Sequence, residues 1–186
     1  DRFPNFVMRT DCLEDRRNLE RLCGCSVRGM SYPMGTYNED VLTALRASGI
    51  VYSRTVEATR NFALPQDFLR WHPTAHQSHG ILELADQFLG RNHPLDLFYL
   101  WGHSFEYDRE SAPATWNLIE EFCEKMSGND AIWYATNIEI YDYVMAQRSL
   151  YFSVDKDRVT NPSALSVWLL ADGVPVEIPG GTTKTL

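Results

Sequence analysis

Strand and helix patterns alternate through most of this sequence, which predicts an α/β protein built on a parallel sheet with a small antiparallel β appendage. Three observations carry that prediction. Apolar residues recur at helical spacing in several segments, and short apolar runs of strand length separate those segments by brief connections. Beyond Leu150 the pattern changes to short alternating segments around turn residues. Four strands with helices are too few for a complete eightfold barrel, so the sheet is either open or part of a closed one.

The first helix is expected from Asp11 to Leu22, with Thr10 or Asp11 as N-cap and Leu13, Leu19 and Leu22 near one face. Val27 to Tyr32 follows as a strand, broken by Pro33 and Gly35. Asn38 caps a second helix with Val41, Leu42 and Leu45 as its buried stripe, and Gly49 sits where a left-handed cap is expected. Ile50 to Thr55 is the next strand. Ser78 opens a helix carrying Ile81, Leu82, Leu84, Phe88 and Leu89, which Gly90 closes. Leu95 to Trp101 is an almost unbroken apolar run, as expected of a strand buried on both faces. A polar loop from Gly102 to Ala112 leads to a helix containing Trp116, Ile119, Phe122 and Cys123, stopped by Gly128. Ile132 to Thr136 reads as a further strand, and Asn137 as the cap of a helix to about Arg148. In the tail, Leu150 to Val154 and Leu165 to Ala171 alternate, and Asp172-Gly173 signals a hairpin.

Composition narrows the classes. The chain has 186 residues, 44% hydrophobic and 23% charged, enough for one ordinary domain with a sizeable core. Disorder and a need for disulfide stapling are excluded. No apolar run approaches the roughly 20 residues of a membrane helix, so no membrane partner is expected. A formal charge of −8 and a pI near 5.1 argue against a nucleic-acid partner. Cys12, Cys23, Cys25 and Cys123 have no zinc-pair spacing and read as free thiols in a reducing cytosol, which predicts a cytoplasmic protein.

In parallel sheets the working residues sit in loops after the carboxyl ends of strands. That rule gathers Tyr32, Met34, Arg54, Glu57, His103, Glu106, Asn137 and Glu139 near one end. His103 is the sharpest signal, because an imidazole at the mouth of an apolar strand titrates near neutrality and can donate or accept a proton. Glu106 is placed to orient it, although an exposed loop glutamate is the plainer reading. His72, His76 and His79 invite a metal reading, but Pro73 breaks the helix that would put two of them on one face. The turn Ser31-Tyr32-Pro33-Met34-Gly35 can aim a backbone N–H at a developing oxyanion. Trp71, Trp101 and Trp116 offer flat faces to sugar rings, or simply fill the core.

The run Val27-Arg28-Gly29-Met30-Ser31-Tyr32-Pro33-Met34-Gly35-Thr36-Tyr37-Asn38, followed by a helix and Gly49-Ile50, resembles the third motif of the polysaccharide deacetylases, the NodB-homology carbohydrate esterases. Leu100-Trp101-Gly102-His103 resembles their late L-x-H motif. Tyr52 to Glu57, Trp71 to His76 and Trp133 to Glu139 look like a bacterial branch of the group, so the similarity extends over most of the chain. The resemblance implies a distorted (β/α) barrel over residues 1–148, with 149–186 as the β appendage. It also implies hydrolysis of acetyl groups on a glycan with a divalent cation, usually zinc, held by one aspartate and two histidines. Carried over by position, His103 is the general acid, the Met34 N–H helps hold the oxyanion, and Tyr32 and Trp101 line the sugar groove.

The family's T-F-D-D-G and H-[ST]-x-x-H motifs, which supply the base and the metal ligands, are not in the sequence. No metal ligand is therefore assigned, and the chain looks like the back portion of an incomplete barrel whose missing motifs would precede Asp1. Ser31 stands where the third motif has an arginine, and Arg54 is the candidate substitute. The resemblance thus implies that these residues alone are inactive or nearly so. It also leads us to expect either an upstream segment or a homo-oligomer that completes the barrel. A non-catalytic carbohydrate-binding domain and a small-amide hydrolase using His103 and Glu106 are the competing readings.

Overall fold

A computed structural model describes residues 4–93, 95–109 and 113–186. Residues 110–112, the end of the expected loop after Gly102, lie outside the described residues. The chain divides into two compact units, Asp1–Trp133 and Tyr134–Leu186. The helix capped near Asn137 is counted with the second unit, not with the strands and helices before it.

The first unit opens with α1, Pro4–Cys23, which begins well before the expected cap at Thr10 or Asp11. Strand β1, Gly29–Ser31, pairs in parallel with β2, Tyr52–Arg54, across helix α2, Glu39–Ala47. Helix α2 forms as expected. The Asn38 side chain accepts from the Val41 N–H at 2.9 Å, satisfying a donor that the first turn would leave open. Leu42 and Leu45 are buried on its inner face, and Gly49 turns the chain out of it at φ +73. With Tyr32, Ile50 and Leu69 they form one core cluster, in which each fully buried leucine contributes about 2–3 kcal/mol.

The sheet continues by backbone bonds rather than by long strands. Arg54 bridges Trp71 in parallel, and Trp71 N–H donates to the Ser53 carbonyl at 3.1 Å. Strand β3, Ala75–His76, then pairs in parallel with β4, Leu100–Trp101. Helices α3, Ile81–Leu89, and α4, Trp116–Met126, pack Ile81, Leu84, Ala85 and Phe122 against Phe62 and Ala75 in a second core cluster. Neighbours therefore follow chain order, β1, β2, the Trp71 segment with β3, then β4. Two parallel pairs are regular, and no closed barrel is seen among the described residues.

Several expected elements are shorter or shifted, each for a local reason. Helix α3 starts at Ile81 after Gly80, which adopts φ +65, and not at Ser78, whose hydroxyl is engaged with His76. Of the run Leu95 to Trp101 only the last two residues are strand. Leu95 has φ +67, and Tyr99 N–H donates to the Thr74 hydroxyl where a ladder carbonyl would otherwise accept. The expected strand Ile132 to Thr136 does not form. The Asn129 side chain and carbonyl take the Ala131 and Ile132 N–H groups in a turn, and Trp133 is exposed.

In the second unit, α5, Asn137–Arg148, is capped by Thr136, one residue earlier than expected. Behind it lie a three-stranded antiparallel sheet of β5, Tyr151–Phe152, β6, Arg158–Thr160, and β9, Thr183–Thr185, and the hairpin of β7, Val167–Ala171, with β8, Val174–Ile178. Asp172 at φ 50 and Gly173 at φ 80 make the hairpin turn, as their sequence predicts. The Trp168 N–H donates to the Tyr143 hydroxyl at 3.1 Å, tying β7 to α5. No helix among the described residues is long and apolar enough to cross a membrane.

Candidate functional site

The carboxyl ends of β2, β3 and β4 carry the side chains that meet. His76 is the last residue of β3, and its register partner Trp101 is the last residue of β4. His103 follows two residues on, and Glu106 closes the short helical turn Ser104–Glu106. That turn bends the chain back, so Glu106 lies between two imidazoles. Its Oε2 is 3.1 Å from His76 Nε2, and its Oε1 is 3.2 Å from His103 Nδ1.

Gln77 locks the group. Its amide donates to Glu106 Oε2 at 2.8 Å and to the His103 carbonyl at 2.9 Å. The room for that amide comes from Gly102, where a Cβ would stand 1.9 Å from Gln77 Oε1. The glycine in Trp101-Gly102-His103 is thus explained by space rather than by backbone angle. Trp101 packs edge-on to His76 with centroids 4.6 Å apart, and the Arg54 guanidinium lies 4.0 Å over its ring. A cation on that face contributes about 0.5–2 kcal/mol, more as water is excluded.

Electrostatics divide the three groups. Burial lowers the His76 pKa, outweighing the Glu106 carboxylate that pulls it upward, and His79, His103 and Arg54 push the same way as burial. For Glu106, burial pushes the pKa up, but the hydrogen bond from His103, the charges of His76 and His103, and the Gln77 amide together bring it below the ordinary carboxylate value. The carboxylate is therefore ionised at neutral pH beside an exposed His103, which it orients through Nδ1. Nε2 takes no hydrogen-bond partner among the described residues. Burial also lowers the Arg54 pKa.

Other residues expected at this end are placed separately. Tyr32 is buried, donates its hydroxyl to the Leu69 carbonyl at 2.7 Å, and stacks on Tyr37. Its pKa is pushed up to about 12, mainly by burial, so it stays neutral. Met34 is 92% exposed at φ +56, in a turn closed by the Gly35 and Thr36 N–H groups. The Met34 N–H takes no part in those turn bonds. A Cβ on Gly35 would meet Val56 at 2.4 Å, which ties this turn to the loop after β2. His72 turns away from His76, to the Thr55 hydroxyl at 2.7 Å and to Glu57 at 3.7 Å. Glu139 caps α5 in the second unit. Trp71 is wholly buried, and Trp116 is half exposed with its indole N–H on Asp108.

The three expected histidines of the Trp71–His79 run thus part company, and only His76 joins His103. Sequence spacing carried no sign of that pairing, because strand register, not separation along the chain, sets His76 beside Trp101. Among the described residues, His76, His103 and Glu106 are the one group of three or more His, Cys, Asp or Glu side chains with ligand atoms mutually within 4.8 Å. Two imidazoles and a carboxylate suit a divalent cation in number and chemistry.

No family model, curated protein or solved structure matches the chain.

Proposed function

We propose that the chain carries the proton-donating and substrate-lining part of a polysaccharide-deacetylase-like protein. On this reading it is an incomplete or distorted (β/α) barrel that, in the complete protein, hydrolyses N-acetyl or O-acetyl groups on a glycan. One observation carries the reading: His103 stands just past the carboxyl end of a parallel strand with Nδ1 held by Glu106 and with no partner on Nε2 among the described residues. That is the arrangement a general acid needs.

For an N-acetyl group, water adds to the acetyl carbon, and the C–N bond breaks with its electron pair passing to nitrogen. His103 gives that nitrogen its Nε2 proton, so acetate and a free amine leave. Glu106 steadies the protonated ring, and Gln77 steadies Glu106. On the resemblance the Met34 N–H would help hold the developing oxyanion and Tyr32 would line the groove, while Arg54 and Trp101, stacked on one another beside His76, supply its flat cationic face. A divalent cation, zinc on the resemblance, polarises the carbonyl and activates the water when bound. The aspartate and paired histidines that the resemblance assigns to that cation have no counterparts in these residues. Hydrolysis by this chain alone is accordingly absent or nearly so. Four free cysteines suit the cytosol as its compartment.

The test is calorimetry of this chain with chitooligosaccharides, alongside acetate release with zinc or cobalt present. Saturable binding that Arg54→Ala weakens about tenfold, without turnover, is the expected result. Absence of binding contradicts the glycan substrate, and robust turnover contradicts the assignment of base and cation ligands elsewhere.

A further inference from the structure

The His76–Glu106–His103 group has a capacity that proton donation does not use. Tetrahedral zinc bonds of about 2.0–2.2 Å place neighbouring ligand atoms roughly 3.4 Å apart. Here Glu106 Oε2 is 3.1 Å from His76 Nε2 and its other oxygen, Oε1, is 3.2 Å from His103 Nδ1, and one ligand atom from each of the three residues lies within 4.8 Å of the other two. The imidazole pair has to close by about 1.4 Å at most to meet that geometry.

The supporting shell is already built. His76 Nδ1 accepts from the Ser78 backbone N–H at 3.4 Å and lies 2.8 Å from the Ser78 hydroxyl, which fixes the ring with Nε2 toward Glu106, and a cation bound there displaces the Nε2 proton. Gln77 fixes the carboxylate and the His103 backbone together. The His103 side chain is 48% exposed, so water can fill a fourth position.

We propose that His76, His103 and Glu106 bind one divalent cation of zinc type, and that this cation regulates the site by taking His103 Nδ1. The regulatory half rests on the reading of His103 as proton donor. An imidazole with a metal on one nitrogen cannot carry protons on both, so its cationic acid form is lost. Zinc beyond what hydrolysis requires therefore inhibits.

Calorimetry with zinc chloride and ¹⁵N NMR of the histidine rings test this on the whole chain. The expected result is one zinc per chain with a dissociation constant of about 1 μM or tighter. The His76 and His103 ring resonances then shift in step with occupancy. His103→Gln, a change at an exposed side chain, and Glu106→Gln each weaken binding at least about tenfold. His93→Gln removes an exposed imidazole paired with Asp96 and leaves binding unchanged. No saturable binding, or binding kept by both cluster variants, overturns the site. Zinc bound as expected in a protein that handles no glycan would sink the deacetylase reading and leave the metal site standing.

Discussion

Gly102 shows how one missing methyl group organises a site. Its Cα approaches Gln77 so closely that any Cβ would overlap the amide, and that amide holds both Glu106 and the His103 carbonyl. In Gly102→Ala the buried Gln77 side chain has to shift from its Cγ outward and give up its bonds, so the melting temperature falls and the cluster loosens. Zinc affinity measured by calorimetry falls about tenfold or more, the usual cost of losing a bond that orients a ligand. An unchanged affinity would contradict the role given to Gln77. At this scale His103 and its strand-mouth position were legible in the sequence, as was the chance of Glu106 orienting it. His76 and Gln77 were not, because both sit in a run where polar loop packing was the simpler account. Only the parallel register of β3 with β4 brings them to the site.

The helices were more legible than the strands. A side-chain cap at Asn38, buried stripes and a glycine of positive φ at Gly49 are local signals, and local physics honours them. Strands depend on partners far along the chain. Trp133 and Tyr134 gave an apolar run between Ile132 and Thr136, but both are exposed and the segment is not strand. The cap of α5 also had a readable sign, Thr136-Asn137-Ile138-Glu139. The Thr136 hydroxyl accepts from the Glu139 N–H, and the Glu139 carboxylate accepts from the Thr136 N–H at 2.7 Å. The Thr136 hydroxyl, donating to the Glu139 carboxylate at 2.6 Å, and the Thr136 N–H together lower the Glu139 pKa. A carboxyl with a depressed folded-state pKa stabilises fully above its unfolded value and loses that contribution as pH falls through the folded one. Thermal unfolding of the second unit followed from neutral to acid pH should therefore show a steeper acid-side loss in the parent than in Glu139→Gln. Identical slopes would contradict this account of the cap.

At the scale of the molecule, the sequence announced alternating strands and helices with an antiparallel tail. Chain-order neighbours in the first unit and the Asp172-Gly173 hairpin in the second are what those patterns become. The division between units was less legible. It falls between Trp133 and Tyr134, where the residues are apolar, a few positions beyond the Ser127-Gly128-Asn129-Asp130 turn that reads only as the end of a helix. The functional proposal lives at this scale, since the protons, the cation and the glycan have to meet at one end of one sheet. Its central claim is that His103 protonates the leaving amine. The most direct measurement is acetate release from an N-acetylated oligosaccharide by the complete protein, with His103→Gln compared against the parent. The account predicts a fall in kcat of about 10²–10⁴-fold with KM little changed, as expected when a general acid is lost. Undiminished kcat in that variant would contradict it.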